Sequence, residues 1–273
     1  MDFIVNYKKA GRAPFLLSGE SSHIERAAGD YCRFEYPDDC IVDFDMRLVD
    51  LFKELDKKSL SVKERISLEY YRVKELLDHK TPTRMELFTY MEDEIYQYCM
   101  KHAKENPFRH YMDFLNELHE LSDEEQTLYH SIGREFLSLI ETTDMQKVYK
   151  MPILYSFYNH GNIRMAVTDD EVLESWKAFF DTGTNWKDLA TDISYSEYQK
   201  MTDKRHLSKA KSMPIKFLKA SGKGFFIERE GYALAIREAV SEIIEQEAFR
   251  QQMKDILEYR TMEYYRRKYM EES

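Results

Sequence analysis

Four times between residues 61 and 171 the chain sets a hydroxyl residue three places ahead of a glutamate at the head of an apolar, helically spaced run: Ser61/Glu64, Thr83/Glu86, Ser122/Glu125 and Thr168/Glu171. In this spacing the hydroxyl accepts from an amide left over in the first helical turn, while the carboxylate reaches back to the amide of the capping residue. A chain punctuated this way is committed to helices of modest length. Nine Gly and six Pro in 273 residues leave few helix breakers, and the abundance of Leu, Glu, Lys, Met and Tyr favours helices over a sheet-dominated fold.

The pattern changes along the chain. In residues 1–44, Phe3, Ile4 and Val5 and then residues 40–44 read as short strands, separated by a charged stretch with Gly19, Gly29 and Pro37 as punctuation. From Asp45 to about residue 140 the period is helical, with Leu48, Leu51, Phe52 and Leu55 on one face and Ile66, Tyr70, Val73 and Leu77 on the next. Beyond residue 144 comes an apolar helix over 149–159, ended by Gly161, and then a strand within 163–167. The helix begun by Thr168 carries Val172, Leu173, Trp176, Phe179 and Phe180 at core spacing. A variable stretch runs to Lys204, a basic helix covers 205–218, and two apolar runs flank a turn at 228–231 as in a hairpin. Helix, strand, helix, helix, hairpin is the order of a winged helix. A terminal helix over 241–268 presents Ile244, Ala248, Met253, Ile256, Leu257 and Tyr264, and its closing Arg266, Arg267 and Lys268 complement the helix dipole.

The expected fold is therefore mainly α. It comprises a small strand-containing segment (1–44), a multi-helix array (45–143), a winged-helix-like unit (144–237) and a C-terminal helix (238–273).

Charge is focused in one place. The formal net charge is −10, yet residues 200–223 hold eight Lys/Arg against one acid, Asp203, so this segment sums to +7 and the remainder to −17. A cationic patch on an otherwise acidic chain can neutralise phosphates while the rest of the surface limits indiscriminate binding. The candidate phosphate contacts are Lys204, Arg205, Lys209, Lys211 and Lys216 on the basic helix and Arg229 on the wing. Tyr195, Tyr198, His206 and Phe217 could stack on bases, although spacing assigns Phe217 and Leu218 to the core. The plain alternative is a solvated helix face.

Signals for chemistry are sparse. Ser221 to Gly224 reads SGKG, but a phosphate loop needs GxxxxGK followed by Ser or Thr leading from a strand into a helix, so a turn before a hairpin is the better reading. Asp38, Asp39, Asp43, Asp45 and Asp56 loosely resemble the carboxylates that hold a nuclease metal, but Asp56 falls at the end of an expected helix. The eight histidines are scattered, with His102, His110 and His119 spaced as helix-face residues, and no HExxH or Cys/His cluster points to zinc. Cys32, Cys40 and Cys99 cannot all pair within the chain, which suits a reducing compartment. No apolar run approaches the roughly 20 residues of a membrane span. The expectation is a cytoplasmic, non-enzymatic protein with no catalytic, cofactor or metal residue assigned.

Three stretches carry a resemblance: DFIVNYKKAGRAPFLLSGESS at 2–22, IVDFDMRLVDLF at 41–52 and KVYKMPILYSFYNHGNIRMA at 147–166. Here the chain resembles the region that follows the motor in bacterial superfamily II DEAD/DEAH-box helicases of the restriction and phage-defence type. The resemblance implies that residues 1–44 correspond to the edge of a motor lobe and that the helical region follows it. The chain has no Walker A loop, DEAD or DEAH box or arginine-finger motif, so ATP hydrolysis is carried over to no residue. The function so implied is a nucleic-acid-binding accessory module that positions DNA, or RNA, for a helicase motor or a nuclease subunit. The alternatives are an interaction scaffold of a defence complex and a metal-dependent nuclease using Asp43 or Asp56.

Overall fold

The computed structural model describes residues 2–5, 15–18, 60–159, 161–189, 193–222 and 224–271. Its contacts divide the chain into two compact units, Met1–Leu68 and Glu69–Ser273. In the first, β1 (Asp2–Val5) pairs antiparallel with β2 (Phe15–Ser18), Phe3 opposite Leu17 and Ile4 opposite Leu16. The strand expected at residues 3–5 is present. The strand expected at 40–44, the face formed by Leu48, Leu51, Phe52 and Leu55, and the acids from Asp38 to Asp56 lie outside the described residues.

Helix α1 (Val62–Leu76) starts where its capping box places it: Glu64 Oε2 accepts from the Ser61 amide at 2.8 Å, and Ser61 Oγ accepts from the Glu64 amide at 3.3 Å. The division between units falls inside this helix. In the second unit follow α2 (Arg84–Tyr90), α3 (Asp93–Lys101), a 3-10 turn at Pro107–Arg109, α4 (Tyr111–Glu117), α5 (Asp123–Tyr129) and α6 (Ile132–Thr142). The reciprocal capping bonds of Thr83/Glu86 and Ser122/Glu125 are both made. His102 and His110 cap helix ends, and His119 follows α4 with a φ of 58°. These histidines stand at helix ends rather than lining helix faces: His102 and His119 fall where a short helix runs out, and His110 lies between the 3-10 turn and the start of α4.

Helix α7 (Lys150–Phe157) leads directly into β3 (Tyr158–Asn159), which pairs with β4 (Asn162–Ile163). Gly161 between them has a φ of 92°, a left-handed conformation that suits glycine. The single strand expected at 163–167 is therefore divided. Ile163 belongs to this hairpin, while β5 (Ala166–Val167) pairs elsewhere. Then come α8 (Asp169–Asp181), a 3-10 turn at Asn185–Asp188, α9 (Tyr195–Gln199), α10 (Asp203–Ala210), a π-helical turn at Lys211–Ile215 and α11 (Lys216–Ser221). Two strands, β6 (Phe226–Ile227) and β7 (Leu234–Ile236), form the hairpin read from the sequence, with Phe226 opposite Ile236. Because β5 pairs antiparallel with the other edge of β7, the sheet order is β5-β7-β6.

Helix α12 (Glu247–Glu271) begins after a 3-10 turn at Glu238–Val240, later than its expected start at 241, and packs along α2, α5, α6 and α7. Phe249, Met253, Ile256 and Leu257 are buried on it. One cluster of buried side chains extends from Met112 to Tyr264 with Trp176, Val172 and Phe180 inside it. Among the described residues the protein is mainly helical with a few small antiparallel strands.

Candidate nucleic-acid interface

The basic segment forms one continuous helical rod over residues 203–221, longer at both ends than the helix expected from sequence. Its inner side is fixed by burial of His206, Ala210, Pro214, Ile215 and Leu218. At the start, Asp203 pairs with Lys177 of α8 at 2.8 Å, which holds α10 against its neighbour and keeps the Asp203 carboxyl below its usual range. The π turn surrounds Pro214, which has no amide hydrogen to give to the carbonyl of Ala210; a turn holding one extra residue accommodates that missing bond. The rod ends at Gly222, where a Cβ would lie 2.3 Å from the Leu218 carbonyl oxygen and 2.8 Å from Phe226.

The six expected phosphate contacts all lie on this rod or on the hairpin after it, in differing environments. Lys204, Arg205 and Lys216 are exposed and, among the described residues, make no ion pair. Lys209 is half-buried. Lys211 pairs with Asp169, the first residue of α8, at 2.6 Å. Arg229 holds its guanidinium over the Tyr232 ring, 5.3 Å from the centroid, in the turn that Gly231 closes with a φ of 82°. Lys219, not among the six, joins rod to hairpin through a 2.5 Å pair with Glu228. Lys223 lies outside the described residues.

The aromatic expectations need correcting. Tyr198 and His206 are buried against one another, rings perpendicular at 5.7 Å, and Tyr198 donates to Asp181 Oδ1 at 2.5 Å. Burial, then the neighbouring Lys177, pushes the His206 imidazole below its ordinary value, so at neutral pH it adds no charge to the surface. Tyr195 stays exposed, leaning on Trp186. Phe217, expected in the core, is 51% exposed, and Met213 four residues before it is 48% exposed. Helical periodicity missed both because it assumes a constant turn length, and the π turn breaks that assumption. The only sequence signal was Pro214 within the rod.

A concavity of about 1020 Å³ opens apart from the rod, where Thr83, Tyr111, Glu125, Gln252 and Asp255 meet. Its carboxylates are engaged in structure. Asp255 accepts from the amides of Arg84 and Met85 at 3.0 and 3.1 Å, and Glu125 closes its own capping box while accepting from Gln252 at 3.1 Å. Cys99 is buried, and burial pushes its thiol up to about 12, which leaves it protonated and a poor nucleophile at neutral pH. Among the described residues no three His, Cys, Asp or Glu side chains gather where a metal ion could be held, and no helix is long and apolar enough to cross a membrane. Comparison with family models, curated proteins and solved structures finds no match to this chain.

Proposed function

We propose that the protein binds nucleic acid through the rod at residues 203–221 and the hairpin behind it, as a winged-helix-like unit without catalysis of its own. The observation that carries this reading is the sheet order β5-β7-β6, with β5 supplied between α7 and α8 and the hairpin following the basic rod. In a winged helix that arrangement turns the last helix outward for docking and sets the hairpin beside it as a wing. The exposed Lys204, Arg205 and Lys216 support the reading further, since among the described residues none of them is tied up in an ion pair, and such cations gain by meeting phosphate. The sequence resemblance adds a context: the bound strand is positioned for a helicase motor or a nuclease carried by another polypeptide.

The test is fluorescence anisotropy against labelled DNA across a salt series, using the protein and its Lys204→Glu/Arg205→Glu/Lys216→Glu variant. The variant is expected to bind at least tenfold more weakly, and the slope of log affinity against log salt to flatten by about 2 to 3, near 0.9 for each phosphate no longer neutralised. Equal affinity and equal slope overturn the assignment. Failure of the unaltered protein to retain DNA at moderate salt favours the interaction-scaffold alternative.

A further inference from the structure

In a regular α-helix residues seven apart return to nearly the same face, because two turns take about 7.2 residues. On the basic rod His206 and Ala210 are buried, so a regular helix would carry the buried line on to positions 213 and 217, the places of Met213 and Phe217. The π turn at Lys211–Ile215 adds one residue to that count. The buried line passes instead through Pro214 and Leu218, each eight residues on, and Met213 and Phe217 turn to the outside at 48% and 51% exposure. Two large apolar side chains thus stand on a surface where Arg205 and Lys209 precede Met213 at four-residue spacing, while Lys216 adjoins Phe217 about 100° around the rod.

The hairpin continues this composition. Tyr232 is 42% exposed with the Arg229 guanidinium stacked over it, and Ile227 is 38% exposed. Lys219 and Glu228 tie the rod to the strand that begins the hairpin, so the two apolar groups are held on one connected support. Exposed rings interleaved with cations are the makeup of surfaces that stack successive bases while the cations follow the backbone.

We infer that this surface takes unpaired nucleotides, with a base stacking on the Phe217 ring and the flanking Lys and Arg side chains on the adjoining phosphates. The inference rests on the nucleic-acid reading above and narrows it to single strands. In a duplex the base faces are already stacked on one another, so a phenyl ring reaches one only by wedging a step open against that stacking. A protein partner is the poorer fit, because lysine is depleted from the buried centres of protein interfaces, whereas here cations stand on both sides of the apolar pair.

The experiment compares two labelled probes of equal length at one salt concentration, an oligothymidylate and a blunt DNA duplex, for the unaltered protein, Phe217→Ala and Phe217→Trp. The expected result is that Phe217→Ala weakens oligothymidylate binding about five- to 150-fold, the range for loss of one stacked base, with duplex affinity and salt slope unchanged. Phe217→Trp should retain oligothymidylate affinity, and the added indole fluorescence should be quenched on binding. Oligothymidylate affinity unchanged in Phe217→Ala overturns the inference while leaving the nucleic-acid reading intact. Equal weakening on both probes overturns it as well, since the ring would then act without regard to pairing. If the unaltered protein binds neither probe at low salt, the nucleic-acid reading itself fails.

Discussion

Arg84 is 1% exposed, and its guanidinium is held by two acids from distant parts of the chain: Glu141 at 2.6 Å and Asp255 at 3.4 Å. Both acids also cap helices. Glu141 accepts from the Tyr111 amide at the start of α4, and Asp255 accepts from the first amides of α2. Burial outweighs the pull of Arg84 and raises both carboxyls, Glu141 from 4.5 to about 7. The folded protein therefore holds a proton on Glu141 at pH values where the unfolded chain has released it. The stability this group contributes is full below its unfolded value of 4.5 and is lost as pH rises through about 7. Thermal melts between pH 5 and 8 should show stability falling with rising pH, by an amount on the order of 2 kcal/mol from this group. In Glu141→Gln that fall should flatten; a slope as steep as in the unaltered protein would place the titrating group elsewhere. None of this was legible in the sequence, where Arg84, Glu141 and Asp255 are separated by 57 and 171 positions and look like ordinary surface charges.

At the scale of elements the sequence spoke most clearly where local chemistry decides. The capping boxes at Ser61, Thr83, Ser122 and Thr168 form because each needs only residues three apart. A further one, Ser194/Glu197, heads α9 in the stretch read as variable, since a helix of five residues is too short to show a period. The β6–β7 hairpin was readable from its two apolar runs and turn, whereas its partner β5, two residues long, was merged with Ile163 into one strand. The junction between rod and hairpin carries a prediction of its own. A Cβ at Gly222 would meet the Leu218 carbonyl at 2.3 Å, and backbone does not step aside as a side-chain tip can. Gly222→Ala should cost about 2 to 4 kcal/mol in urea unfolding. A midpoint within error of the unaltered protein would show that the turn tolerates a side chain.

Across the Glu69–Ser273 unit, α12 packs against α2, α5, α6 and α7, and its far end is fastened at a buried acid. Asp188 is 2% exposed and accepts from the Val148 amide at 3.1 Å, the Tyr264 hydroxyl at 2.6 Å and Lys268 Nζ at 2.5 Å. Arg266 beside them lies 4.3 Å from the Tyr96 ring centroid and pairs with Asp93 at 2.7 Å. Arg266 and Lys268 are thus fasteners between elements, a more specific role than complementing the helix dipole. Removing the carboxylate in Asp188→Ala leaves a buried amide, a hydroxyl and an ammonium without their acceptor, a loss of about 3 to 5 kcal/mol. It should also raise hydrogen exchange at the end of α12 and near Val148 together. Exchange raised in one of them alone would show that they are fastened separately.

The π turn bears on how the rod tolerates changes in chain length. Its outward residues are chosen by whether the turn between Ala210 and Lys216 is π or α as much as by their identity. A deletion of one residue there would restore a regular helix with Pro214 and Leu218 seven positions after His206 and Ala210, still buried, and with Met213 and Phe217 still outward; straightening the turn at unchanged length would instead carry Met213 and Phe217 toward the core. Two chains that differ by one residue at this turn can therefore display the same surface, so comparisons of this segment should allow a one-residue gap there before counting its neighbours as substituted.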